Sequence, residues 1–137
     1  MAGSPRVVLM SIHPEYAFRI ADGTKRVELR VRPPALPTPY RVLFYGTTPL
    51  RKMVAWATVA KVLVGTPTEI WGVCGGLAAV NHDTFHHYLA HRKRLSALYL
   101  ENVSAVDPPV SLPAAWRPPQ SFRFLSREEA IMCPGGR

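Results

Sequence analysis

Apolar residues recur along this chain with two different periods, and the switches between them mark its elements. Val7–Ile12 is a short apolar run rich in β-branched side chains, the pattern of a buried strand. Pro14 then stands where a helix would begin, with Glu15 in the first turn. Tyr16, Ala17, Ile20 and Ala21 follow at helical spacing, and Asp22-Gly23 supplies a stop. From residue 26 the period becomes two. Val27, Leu29 and Val31 fall on one face of a predicted strand over 26–32, and Arg26, Glu28, Arg30 and Arg32 fall on the other, until Pro33-Pro34 ends it.

Residues 33–39 read as a proline-stiffened loop, 40–45 (YRVLFY) as a second central strand, and Gly46-Thr47-Thr48-Pro49 as a polar turn. A long strand follows over 53–64. Thr66, Pro67 and Glu69 have the spacing of a capped helix start, predicting a helix through Val73 that Gly75-Gly76 breaks. Asn81 or His82 opens another helix, with Phe85, Tyr88 and Leu89 on one side and the basic triplet Arg92-Lys93-Arg94 at its end. Residues 95–103 alternate as a strand, prolines 108, 109 and 113 make an extended connection, and 120–125 form a last strand. Ser126 starts a helical turn that leads into a tail expected to be loose.

This order predicts an α+β fold, a small β-barrel of about six mostly antiparallel strands with flanking helices, curled to remove its edges. At 137 residues the chain is expected to be one domain over 1–125, with a flexible C-terminal tail over 126–137. Fourteen prolines, clustered at 33–39, 108–113 and 118–119, favour strands with stiff connections over a helix bundle. Cys74 and Cys133 lack CxxC spacing, so neither a metal ribbon nor an oxidising compartment is indicated. The apolar run at 7–10 is too short for a signal segment, and 53–64 is too short to span a bilayer, so a cytoplasmic location is expected, with no membrane.

Charge sharpens the picture. The net charge of +8, mostly arginine, points to a polyanionic partner, because guanidinium groups suit phosphate and base edges. The face carrying Arg26, Glu28, Arg30 and Arg32 sets one anion among cations, and Lys25 stands at the entrance to that strand. His82/His86 and His87/His91 are each spaced by four, yet the two pairs point to different helix faces and only Asp83 accompanies them. The expected reading is a solvated helix, with no metal and no cofactor.

Ser11-Ile12-His13-Pro14-Glu15-Tyr16-Ala17, followed by Gly23-x-Lys25-x-x-Glu28-x-Arg30, resembles an ASCH domain of the PUA-like superfamily, whose signature is GxKxxExR after the first helix. Phe44-Tyr45-Gly46-Thr47-Thr48-Pro49, Thr68-Glu69-Ile70-Trp71, Phe85-x-x-Tyr88, Ala97-Leu98-Tyr99-Leu100 and Pro118-Pro119-Gln120-Ser121-Phe122 fit its later pieces, so the resemblance covers about residues 7–125. Two positions depart from the pattern: His91 stands where a glycine is common, and Ala55 stands at another usual glycine.

The resemblance implies a small β-barrel with a cleft lined by the signature, in a family of RNA- or modified-nucleotide-binding modules that includes hydrolases. In the amidohydrolase branch a threonine nucleophile matches Glu28, and a glutamate cannot replace that hydroxyl. The leading expectation is therefore a module that binds RNA or a modified nucleotide, with single-stranded nucleic acid as partner and no obligate protein partner. Lys25 and Arg30 would hold a phosphate or carbonyl oxygen and Glu28 a base or sugar edge. Tyr45 and Tyr16 are candidate stacking platforms, Thr47 and Thr48 candidate donors, and Arg51 and Lys52 a positive extension. The alternative is a small hydrolase, a ribonuclease or acylated-nucleoside amidohydrolase, with Lys25 and Glu28 as its catalytic pair.

Overall fold

The computed structural model describes residues 6–135. Its elements are β1 (Val7–Ile12), α1 (Pro14–Ala21), β2 (Val27–Arg30), β3 (Tyr40–Gly46), β4 (Lys52–Gly65), α2 (Pro67–Cys74), α3 (His82–Tyr88), β5 (Leu95–Val110), β6 (Phe122–Leu125) and α4 (Arg127–Met132), with a 3-10 turn over Gly75–Leu77 after α2. The six strands make one sheet in the order β2-β5-β4-β3-β1-β6. β1 and β3 run parallel and the other described pairings are antiparallel. The sheet curls into a half-barrel with helices on both faces, so the fold is α+β.

Alternation within the strands divides the core into three. Val8, Met10 and Ile12 of β1 pack with Tyr40, Val42 and Phe44 of β3 and with Ala17 and Ile20 of α1. On the opposite face Leu9, Leu43, Tyr45, Met53 and Trp56 form a second cluster, closed by Leu125 and Cys133. Val27 and Leu29 belong to a third, beneath Ile70, Cys74 and Phe85 of the helical arm. The two faces of the sheet are thus both covered, each by a different set of helices.

Helix starts follow the local chemistry. Thr66 and Glu69 form a reciprocal capping box at α2, and Asn81 accepts from Thr84 N at α3. Gly23, at φ 86°, takes a left-handed conformation that a side chain would resist, and the Asp22 carboxylate accepts from Thr24 N at 2.9 Å. This turn delivers Lys25 to the start of β2.

Two boundaries differ from the sequence expectation. β2 ends at Arg30, and Val31 is exposed beyond it. β5 continues to Val110 through Asp107-Pro108-Pro109, where an extended connection was expected. The register shifts along β4 and β5 make room for it, with Met53 pairing Val110. The helical turn expected at Ser126 is α4, started by a second capping box of Ser126 and Glu129, and Cys133 beyond it is buried against the sheet. Residues 1–5 of the expected domain and 136–137 of the expected tail lie outside the described residues.

Candidate functional site

The signature residues meet along the edge where the curled sheet comes back on itself. Val27 and Leu29 bury on the helical side, which turns Glu28 and Arg30 toward the opposite face. Lys25 Nζ lies 3.3 Å from Glu28 Oε1, and Arg30 Nε lies 2.8 Å from Glu28 Oε2, so two cations bridge one carboxylate. Arg30 then crosses to the other edge of the sheet. Its Nη2 donates to the Ser11 carbonyl of β1 at 2.8 Å, and its Nη1 lies 3.4 Å from Ser121 Oγ, just before β6. The side chain bridges the two margins of the half-barrel.

Access across the triad is graded. The side chains of Lys25, Glu28 and Arg30 are 1%, 9% and 15% exposed. Lys25 also donates to the Ala78 carbonyl, and its ammonium lies 5.1 Å from the Tyr16 ring centroid. Burial pulls the Lys25 ammonium below its ordinary value, and the attraction of Glu28 works against that pull. In this conformation Lys25 and Glu28 satisfy each other behind the surface, and Arg30 is the member nearest solvent. Chemically the arrangement offers an anion one guanidinium held in a fixed orientation.

The other sequence-predicted residues divide into three groups. Tyr16 joins the triad through Lys25, and burial raises its phenol above the usual value. Thr47, Thr48, Arg51 and Lys52 gather at the turn between β3 and β4. Thr47 N donates to the Ile12 carbonyl, one residue along from the carbonyl that Arg30 uses, and Arg51 Nε lies 3.4 Å from Thr48 Oγ1. That turn therefore adjoins the same end of β1. Tyr45 does not join them: its ring is buried with Leu43 and Trp56 on the far face of β3. Sequence reasoning missed Ser121 and Tyr40. Ser121 lies in the quoted Pro118–Phe122 motif, but periodicity says nothing of its meeting Arg30. Tyr40 is fully buried beside Arg30, and burial pushes its phenol up to about 12.

Among the described residues no group of His, Cys, Asp and Glu could hold a metal ion, and no helix is long and apolar enough to cross a membrane. His82 and His86 stack at 6.0 Å, with His82 edge-on to Trp71.

The ASCH domain family model matches residues 10–109, from β1 into β5, a span that contains the whole triad. The chain belongs to the ASCH domain family. This ASCH domain is 27% identical over 127 residues to the ASCH domain-containing ribonuclease of Zymomonas mobilis subsp. mobilis, a match covering 88% of this chain and 85% of that protein. It superposes on the crystal structure of ASCH from Zymomonas mobilis with a TM-score of 0.84 at 25% identity, covering 91% of each chain. A crystal structure of a ZmASCH mutant protein gives a TM-score of 0.85 at 24% identity, over 92% of this chain and 94% of that one, and supports the fold.

Proposed function

We propose that this ASCH domain binds RNA, with Arg30 as a phosphate contact at the barrel margin and Lys25 and Glu28 as the residues that orient it. The observation that carries the reading is the similarity, along 88% of the chain, to a protein named as a ribonuclease. The geometry supports it. Arg30 is fixed by Glu28 through Nε, which leaves its terminal nitrogens directed at the rim where Ser11 and Ser121 stand. A phosphate oxygen can exchange with the 3.4 Å contact to Ser121 without disturbing the Glu28 bond. Thr47, Thr48, Arg51 and Lys52 extend this contact along the same end of the barrel, and the net charge of +8 draws the polyanion in.

Binding of a fluorescent single-stranded oligoribonucleotide, followed by polarisation over a salt series, tests the reading. Affinity falls steeply with salt, and Arg30→Ala weakens it and flattens the salt slope by about one. Binding indifferent both to salt and to this substitution would exclude it.

The name of that relative also favours a second reading, hydrolysis of the bound RNA, with Lys25 and Glu28 as the catalytic pair. Lys25 must then leave the Ala78 carbonyl to reach a substrate. Labelled RNA incubated with the protein yields product over time in that case, and Glu28→Gln abolishes it. Intact RNA after prolonged incubation leaves binding alone.

A further inference from the structure

Two concavities flank the segment that follows α2, away from Arg30. One, of about 340 Å³, is lined by Arg26, Lys61, Tyr99 and Glu101, with Leu77 and Leu100 as its apolar floor. The other, of about 530 Å³, includes Arg19, Thr24, Trp71 and Gly76. They are neighbours along both of the segments that build them. Thr24 and Arg26 bracket Lys25 on one side, Gly76 and Leu77 are consecutive on the other, and the Arg26 N–H donates to the Leu77 carbonyl at 2.8 Å. Four residues of extended chain, roughly 13 Å, separate Arg26 from Arg30.

The chemistry of the smaller concavity is cationic and aromatic together. Lys61 and Tyr99 are cross-strand partners on β4 and β5, and the Lys61 ammonium lies 4.4 Å from the Tyr99 ring centroid. Arg26 and Lys61 are exposed. Arg19 is held at the rim of the larger concavity, its Nη1 donating to the Ala79 carbonyl at 2.8 Å and its Nη2 meeting Glu15 at 3.4 Å. Glu101 is the one carboxylate in the smaller concavity, and it can accept from the amino group of a base.

We propose that the smaller concavity is a second RNA contact, a seat for single-stranded RNA in which Arg26 and Lys61 take successive phosphates and the Tyr99 ring takes a base once Lys61 swings aside. The inference rests on the RNA reading above and adds a site to it. A paired duplex keeps its bases stacked inside, whereas an unpaired strand presents base and phosphate together, as a groove lined by both cations and a ring requires. The ridge between the concavities is tied to the signature, because Lys25 and Arg19 donate to the consecutive carbonyls of Ala78 and Ala79.

The test compares a fluorescent oligouridylate bound by the full chain, by Lys61→Glu, and by Arg127→Glu, which makes the same change of charge at the start of α4. Lys61→Glu is expected to weaken binding by about tenfold at low salt and to flatten the salt slope by about one, while Arg127→Glu stays within about twofold of the parent. Photo-crosslinking with a 4-thiouridine-containing strand is expected to label the peptide that contains Tyr99. If the parent binds RNA but Lys61→Glu matches it and crosslinks fall only near Arg30 and Ser121, the second site is wrong and the first stands. If the parent binds no RNA at any salt concentration, both are wrong.

Discussion

Lys25 and Glu28 face each other at 3.3 Å with both side chains almost removed from solvent, and the Gly23 turn is what brings them together. Three residues apart on an extended strand they would point to opposite sides. The turn places Lys25 before the strand begins, so its ammonium reaches the carboxylate from the end. Replacing Lys25 by Met leaves Glu28 with Arg30 alone and leaves the Ala78 carbonyl without this donor. A loss of about 3 kcal/mol is expected, near the lower end for breaking a buried pair because Arg30 remains.

The same residue carries a pH signature. Burial lowers the folded value of Lys25 below its ordinary 10.5, so between that lowered value and 10.5 the unfolded chain holds more protons than the folded one. The pH-dependent part of the Lys25 contribution is greatest above 10.5 and is lost as pH falls through the folded value, leaving the neutral-pH contribution of the pair with Glu28. Urea unfolding across this alkaline window should therefore show the gap between the parent and Lys25→Met widening with pH; parallel curves would contradict the assignment.

Tyr40 predicts the opposite slope. Its hydroxyl is buried and finds no hydrogen-bond partner among the described residues. Its folded value is raised from 10.0 to about 12, so its contribution is complete below 10.0 and is lost as pH rises toward 12. Tyr40→Phe removes a buried hydroxyl at no packing cost. It should leave neutral-pH stability unchanged or raise it by about 1 kcal/mol, and it should remove that alkaline loss. Substantial destabilisation at neutral pH would mean that the hydroxyl has a partner of consequence.

Acid should release the C-terminal helix. Arg123 Nη2 contacts Glu129 Oε2 at 2.8 Å, and the Ser126 N–H donates to the same carboxylate, which together hold it below the ordinary 4.5. The stability this contributes is present above 4.5 and is lost as pH falls through the folded value. The Trp56 indole N–H donates to the Pro134 carbonyl at 2.5 Å, so its exchange rate reports whether the segment is docked. Exchange, referred to that of a free indole at the same pH, should accelerate on acidification in the parent. In Arg123→Ala it should be faster at neutral pH, with a smaller acid step.

Gly75 is required for space rather than for its backbone angle. A Cβ there would lie 2.7–3.0 Å from the Trp71 ring carbons. Gly75→Ala must displace an indole that also rests on Phe85 at 4.4 Å, and a cost of about 1–3 kcal/mol is expected in thermal or urea unfolding.

Much of this was legible from local chemistry. Alternation at 26–32 correctly separated Val27 and Leu29 from Glu28 and Arg30, and the Thr66 cap placed α2. Periodicity could not say which face of a strand a helix would cover. Tyr45 alternates with Phe44, so one of the two had to turn away from α1, and only the three-dimensional arrangement shows that Phe44 packs there. The meeting of Arg30 with Ser11 and Ser121 joins residues 19 and 91 positions apart, beyond the reach of any local pattern. The prolines at 108 and 109 misled for a physical reason. They cannot donate to a ladder, yet β5 accommodates them beyond its register shifts.

The crossing of Arg30 from β2 to β1 gives the half-barrel an unusual mechanical joint. Amide ladders distribute load along their length, as β4 and β5 do, whereas here one guanidinium makes a polar clasp over the core that β1 and β5 share. Opening there would leave the ladders intact but would have to part Val8 and Met10 from Leu98 and Leu100 as well as break the Arg30 bonds. Any polyanion that captures the guanidinium would then act as a wedge as well as a ligand, loosening the closure by the same contact that retains it.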